Sequence, residues 1–124
     1  MRDAGSNTDD DVPDPEPQSV DAPIHVESTA HFESLVADHD PVLVDLYADW
    51  CGPCKMLEPV VAALAAETPA VVATVDVDQR QQLAQALDVH GIPTVLLYDD
   101  GDQVERLVGM RDESTLRELV ARYV

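Results

Sequence analysis

The two cysteines of this chain, Cys51 and Cys54, are separated by Gly52 and Pro53 and are followed by a stretch of helical character. If Cys51 is the N-cap of that helix, both sulfurs lie on one edge of its first turn, close enough to form a disulfide with little backbone movement. The free amides and the dipole at a helix N-terminus favour the thiolate of Cys51 over its thiol. Pro53 has no amide hydrogen, which leaves the amide of Cys54 as the donor to that sulfur. The spacing therefore predicts redox chemistry, with Cys51 as the nucleophile and Cys54, expected to be less exposed, as the resolving thiol.

Three other interpretations of the cysteine pair are open. A zinc site would need a second pair of ligands, and the four histidines lack the spacing of zinc modules (His25, His31, His39 and His90). A permanent structural disulfide would close too short a loop to stabilise the fold by much. The pair could also be incidental, although Trp50 and a Gly-Pro step directly before a helix argue against that. Redox chemistry is the interpretation that these observations favour.

The length of the chain, 124 residues, is enough for one domain with a substantial core and too small for two ordinary domains. There is no apolar run of membrane-spanning length, and the first residues contain no apolar stretch that could serve as a signal peptide. We therefore expect a soluble, cytoplasmic protein with no membrane partner, and a monomer. In a reducing compartment, a single closely spaced cysteine pair is typical of redox chemistry rather than of a structural crosslink.

The charge of the chain is strongly acidic, with 25 Asp and Glu against 7 Lys and Arg and a formal net charge of -18. Nucleic acid is therefore a poor partner. Self-repulsion on this scale destabilises a compact state unless cations screen it, which suggests a halophile protein that works at high salt. The alternative is an ordinary acidic protein with an acidic tail.

Residues 1–22 combine Asp, Pro, Ser, Asn and Gln with very few apolar side chains. Such a segment buries too little surface to offset the entropy of ordering it. We expect a disordered acidic tail over residues 1–22 and one folded domain over residues 23–124.

Beyond the tail, the apolar periodicity predicts alternating strands and helices. Strands are predicted at 24–26, 42–48, 71–77, 94–98 and 103–108, and helices after Ser28, from Cys51 to about Glu67, over 79–87 and after Asp112. The helix at Cys51 is expected to carry Met56, Val60 and Leu64 along one side and to be kinked by Pro59 inside it. This order predicts an α/β fold: a central mixed β-sheet with helices on both faces and a C-terminal β-hairpin plus helix. The cysteines then lie at the C-terminal end of a central strand, where open α/β sheets place their sites.

Asp45 lies in the predicted central strand, whose neighbours are apolar on both faces. A carboxyl group in such a strand is desolvated, and desolvation raises its pKa. Asp45 could then accept the proton that Cys54 loses when it attacks, either directly or through water. The alternative is an Asp that points outward at a strand end.

The run Trp50-Cys51-Gly52-Pro53-Cys54-Lys55 after a buried strand resembles the motif of the thioredoxin family, and the resemblance extends from about residue 24 to residue 124. Further matching features follow in order along the chain: Asp45 in the strand, Pro59 in the helix, Gly91-Ile92-Pro93-Thr94 before the next strand and Gly109 after the last. The resemblance implies the thioredoxin fold and a protein-disulfide reductase that works through a mixed disulfide. It implies no cofactor or metal beyond the redox-active Cys51–Cys54 pair, disulfide-containing client proteins, and a separate thioredoxin reductase as electron donor. Gly-Pro between the cysteines resembles the reducing members of the family.

The resemblance also implies a client-binding platform around the dithiol. Pro93 would follow a cis peptide bond, and the backbone of Ile92 would pair with the client chain. The platform would comprise Trp50, Gly52, Pro53, Ile92, Pro93, Gly109 and Met110.

Three positions set this chain apart from the family pattern. Where many thioredoxins have a lysine close to the carboxylate, this chain has Thr74, and the missing cation should make Asp45 harder to ionise. Met110 stands where smaller residues are common, and His90 precedes Gly91; we expect His90 to be a solvated loop residue without a partner. A second hypothesis, of another class, is a thioredoxin-fold binding module that holds partners on the platform while its cysteines are incidental.

Overall fold

The computed structural model describes residues 21–124, which form a five-stranded sheet covered by helices on both faces. Its strands are β1 (Ile24–His25), β2 (Val42–Tyr47), β3 (Val71–Asp76), β4 (Thr94–Asp99) and β5 (Asp102–Val108). Its helices are α1 (Thr29–Asp38), α2 (Gly52–Glu67), α3 (Gln81–Ala86) and α4 (Glu113–Ala121). The tail predicted over residues 1–22 lies, apart from its last two residues, outside the part described. Across residues 21–124, no helix has the length and apolar character needed to cross a membrane.

The strands lie side by side in the order β1-β3-β2-β4-β5. Both β1 and β2 pair with β3 in parallel, whereas β4 is antiparallel to β2 and β5 is antiparallel to β4. The turn between β4 and β5 consists of Asp100 and Gly101, whose φ angles of 56° and 82° are those of a tight hairpin. The predicted fold class, a mixed α/β sheet with helices on both faces and a C-terminal hairpin plus helix, is confirmed.

The central strand β2 is buried on both faces, as its continuous apolar sequence predicts. Val42, Val44 and Leu46 pack in one core with α1, while Leu43 packs in a second core with α2 and α4. Because side chains alternate along a strand, Asp45 lies on the same face as Leu43, under α2.

Helix α2 meets the sheet through a different face from the one predicted. Its buried residues are Cys54, Leu57, Val61, Leu64 and Ala65, whereas Met56 is 67% exposed and Val60 is half-buried. Positions three, seven and eleven residues beyond Cys54 share its side of the helix, so the inward direction of Cys54 fixes which stripe packs on the sheet. The side that carries Met56, Val60 and Leu64 is therefore not the one that packs on the sheet, since only Leu64 of the three is fully buried.

Candidate active site

The loop that leaves β2 brings Cys51 to the N-cap of α2. Its amide donates to the carbonyl of Ala48 at 3.2 Å, and its sulfur accepts a hydrogen bond from the amide of Cys54, also at 3.2 Å. Cys51 and Cys54 form a disulfide with their Cα atoms 5.2 Å apart. The geometry is the one expected from the spacing: a cysteine pair on one turn, at the C-terminal end of the central strand.

The two cysteines are equally buried in this disulfide form, at 5% and 4% exposure for Cys51 and Cys54. They form a small apolar cluster with Ala48, against which Tyr47, Val77 and Ile92 pack. The predicted difference in exposure between the two cysteines is therefore absent from the oxidised state.

Two loops converge beside the cysteines. The bond between Ile92 and Pro93 is cis, as the resemblance implies, and the carbonyl of Pro93 accepts a hydrogen bond from the amide of Gly109 at 2.8 Å. Gly109 has φ 92°, a left-handed conformation that favours glycine, and Met110 follows it with 38% exposure. The arrangement brings the predicted platform residues of the two loops together.

Trp50 lies on the surface before the cysteines, with 72% of its side chain exposed. Its indole Nε1 donates to the Oδ2 oxygen of Asp78 at 2.8 Å, which fixes one edge of the ring. Gly52, Pro53, Lys55 and Pro59, the other predicted motif residues on this helix, are also exposed. Asp78 follows β3 and was not anticipated, because nothing in the sequence joins positions 50 and 78.

Arg111 makes a second set of contacts that the sequence did not indicate. Its Nη1 donates to the carbonyls of Val108 and Met110, each at 3.1 Å. The guanidinium therefore bonds to the backbone on both sides of Gly109.

A cavity of about 260 Å³ lies beneath the cysteines, between the sheet and α2. The polar and reactive groups that line it include His25, Asp45, Cys54, Lys55, Glu58 and Thr74. Asp45 and Cys54 therefore line the same cavity, which is the arrangement that proton transfer through water requires.

Asp45 is only 3% exposed, and its Oδ1 oxygen has no hydrogen-bond partner among residues 21–124. Burial, and then the negative charge of Glu58, raise the pKa of Asp45 from 3.8 to about 7. The inward orientation predicted for this residue is confirmed, and the outward-facing alternative is wrong. Glu58 was not anticipated, although its position four residues after Cys54 places it on the same side of α2.

Thr74 lies directly opposite Asp45 in the β2–β3 pairing. Its hydroxyl is hydrogen-bonded to Nδ1 of His25 at 2.8 Å, which connects Thr74 to β1. The neutral hydroxyl of Thr74 therefore lies beside Asp45, at the position where many thioredoxins have a lysine. Among the described residues, no cation is bonded to the Asp45 carboxyl group.

His90 is exposed, as predicted, but it does have a partner. Its Nε2 lies 2.7 Å from Oδ1 of Asp88, and both side chains are more than four-fifths exposed. The expectation that nothing pairs with His90 is therefore wrong.

The residues described do not gather into a metal site: over 21–124, no group of three or more His, Cys, Asp or Glu side chains could hold an ion. The chemistry at this site is carried by the disulfide itself, placed at a helix N-terminus above a buried carboxyl group. Fold and site together define a dithiol–disulfide oxidoreductase.

Comparison with known proteins identifies the family. The family model for thioredoxin matches residues 23–122. A thioredoxin of Chlamydia muridarum is 48% identical over 101 residues, covering 81% of this chain and 98% of that protein. A thioredoxin of Mycobacterium tuberculosis is 42% identical over 101 residues, covering 79% of this chain and 87% of that protein. A mutant thioredoxin from Halobacterium salinarum has a solved structure that matches with a TM-score of 0.83 and 50% identity, covering 86% of this chain and 94% of that one. This chain belongs to the thioredoxin family, and it is a thiol–disulfide oxidoreductase.

Proposed function

We propose that this protein reduces client disulfides, with Cys51 as nucleophile, Cys54 as resolving thiol and Asp45 as proton acceptor. The observation that carries the proposal is the common cavity beneath the N-terminus of α2, which Cys54 and Asp45 both line. The helix N-terminus supports a thiolate at Cys51, because the amide of Cys54 already donates to its sulfur.

The reaction begins from the reduced dithiol. The thiolate of Cys51 attacks one sulfur of the client disulfide, the client S–S bond breaks, and the departing client sulfur takes up a proton. Cys54 then gives its proton to Asp45 and attacks Cys51, which forms the intramolecular disulfide and releases the second client sulfur as a thiolate that takes up a proton from water. The structure corresponds to the oxidised product. Two electrons from a separate reductase, the thioredoxin reductase that the family membership implies, return it to the dithiol.

Clients would bind on the platform formed by Trp50, Gly52, Pro53, Ile92, Pro93, Gly109 and Met110. Four exposed large apolar side chains support this role. Trp50 and Met110 belong to the proposed platform. Met56 lies two residues after Cys54, and Val108 lies two residues before Met110. An apolar surface of this kind is suited to extended segments of partly unfolded proteins. Lys55 and Pro59 would support the motif from α2 without contacting the client.

The protein is further proposed to be a cytoplasmic monomer adapted to high salt. Its net charge of -18 and its 50% identity with a thioredoxin from Halobacterium salinarum support the adaptation. The predicted acidic tail, residues 1–22, would stand outside the thioredoxin domain of residues 23–124.

Insulin reduction tests the function. With dithiothreitol as electron source, the wild type should accelerate reduction, and Cys54→Ser should trap a mixed disulfide on Cys51, whereas Cys51→Ser should trap none. Alkylation of reduced Cys51 at neutral pH should be faster than that of a cysteine in an unstructured peptide. A wild type that gives no acceleration, together with a Cys54→Ser variant that traps nothing, would establish the binding-module alternative instead.

A further inference from the structure

Three polar side chains lie in a row across neighbouring strands on the α2 face of the sheet. Asp45 on β2 is the register partner of Thr74 on β3, and Thr74 is in turn the register partner of His25 on β1. In parallel pairing, partners share a face, and adjacent strands lie about 4.8 Å apart. The row therefore leads from the buried centre of the sheet, where Asp45 is 3% exposed, to the exposed His25.

Two observations connect this row physically. The Thr74 hydroxyl is hydrogen-bonded to Nδ1 of His25 at 2.8 Å, and all three side chains line the cavity that Cys54 also faces. The remaining step, from Asp45 to Thr74, crosses that cavity, whose volume of about 260 Å³ has room for water. Asp45 lines that cavity and keeps 3% of its surface accessible, so a water molecule in the cavity can meet the carboxyl group there.

We propose that His25 is a positioning residue that, through Thr74, carries the proton of Asp45 between the cavity and solvent. The inference rests on the proposed role of Asp45 as proton acceptor for Cys54. Asp45 must be ionised before it can accept the proton of Cys54, and the row supplies the route by which a protonated Asp45 first loses its proton to solvent.

The transfer conserves every proton. Protonated Asp45 gives its proton to cavity water, water gives one to Thr74 Oγ, and the hydroxyl passes its own hydrogen to Nδ1 of His25. Asp45 becomes a carboxylate and Thr74 is unchanged. His25, which starts with its hydrogen on Nε2, becomes an imidazolium and loses its Nε2 proton to solvent; exchange with solvent then moves the remaining hydrogen from Nδ1 back to Nε2. An imidazole suits this task because it gains and loses protons near neutral pH.

The charged groups around His25 are mostly acidic. The titratable and charged groups lining the two cavities that His25 borders are Glu27, Asp45, Tyr47, Asp49, Cys54, Lys55, Glu58, Asp76 and Arg80. Carboxyl groups outnumber the two cations among them.

The test uses His25→Gln, whose side chain can hydrogen-bond but cannot exchange a proton, with His39→Gln as the matched control. The reduced protein is mixed in a stopped-flow instrument with excess 5,5′-dithiobis(2-nitrobenzoate). The first release of thionitrobenzoate reports the attack of Cys51, and the second reports the attack of Cys54. We expect His25→Gln to slow only the second phase, by about tenfold at pH 6. This is smaller than the rate acceleration that a positioned acid or base gives directly, because His25 acts through Thr74. The deficit should disappear by pH 9, where hydroxide can take the proton, and imidazole in the buffer should restore the rate at pH 6.

Thr74 provides a second pair of variants. Thr74→Val removes the hydroxyl and should reproduce the His25→Gln profile, whereas Thr74→Ser keeps it and should behave as wild type. Unchanged second phases in His25→Gln and Thr74→Val at every pH would overturn the proposal, and so would a deficit that is independent of pH and of imidazole. Asp45→Asn separates this proposal from the proposed function. If Asp45→Asn slows the second phase and His25→Gln does not, only the route through His25 fails; if Asp45→Asn has no effect, the role of Asp45 itself is wrong.

Discussion

Glu58 and Asp45 face one cavity from opposite sides, Glu58 from α2 and Asp45 from the central strand, and the charge of the first adds to burial in raising the pKa of the second to about 7. The exposed helix residue thus influences the ionisation of the buried one.

Replacing Glu58 should make Asp45 more acidic. We expect Glu58→Gln to lower the pKa of Asp45 below its value of about 7, because the repulsion from the Glu58 carboxylate is lost while burial is unchanged. Titrating the Asp45 carboxyl carbon by NMR measures this directly. Glu33→Gln, on the exposed surface of α1, is the control and should leave the pKa where it is. An identical titration in both variants would show that burial alone sets the pKa.

Asp45→Asn should stabilise the fold at neutral pH. Between pH 3.8 and about 7, Asp45 is protonated in the folded state but ionised when unfolded, so the wild type loses stability as the pH rises through this window. The loss amounts to on the order of 4 kcal/mol at its full extent. Asn does not titrate, so the variant should match wild type near pH 4 and exceed it above pH 7. Urea denaturation at a series of pH values checks this, and a constant difference across the window would contradict it.

Thr74→Lys should lower the pKa of Asp45 by supplying the cation that this position lacks. The register pairing of Asp45 with Thr74 places the new ammonium beside the carboxyl group. The control is Thr74→Met, which has similar bulk without charge. No difference in the Asp45 titration between wild type and Thr74→Lys would refute the idea that the missing lysine makes this carboxyl group harder to ionise.

Salt should stabilise this protein. With a net charge of -18, screening by potassium chloride weakens the repulsion among carboxylates in the folded state. We expect the thermal midpoint to rise as potassium chloride increases from about 0.1 M to about 1 M, because the screening length falls over that range from about 10 Å to about 3 Å. A midpoint that stays level would remove the high-salt interpretation and favour an ordinary acidic protein.

The sequence was sufficient for the elements and for the reactive pair, because both are encoded locally. Spacing within one turn determines where Cys51 and Cys54 meet, and an unbroken apolar run identifies β2 as central. It was insufficient for the rotation of α2, since the stripe through Met56 and the stripe through Leu57 both have helical spacing. Only the contact of Cys54 with the sheet decides between them.

The surroundings of Asp45 depend on contacts between distant parts of the chain. Its burial could be predicted from its neighbours in sequence, but the pairing with Thr74 and the bond from Thr74 to His25 depend on the register of three strands. Asp78, which holds the Trp50 indole, depends likewise on how the loop after β3 approaches the cysteines. No local pattern specifies such contacts.

Lys55 is the only lysine in the chain, and its exposed side chain borders the Asp45 cavity one residue beyond Cys54. Apart from the α-amino group, every amine-directed reagent has one target, at the edge of the reactive centre. Coupling through amines to a resin, dye or crosslinker would therefore attach the protein beside its reactive disulfide, so attachment through introduced groups elsewhere is the safer choice for immobilising this protein.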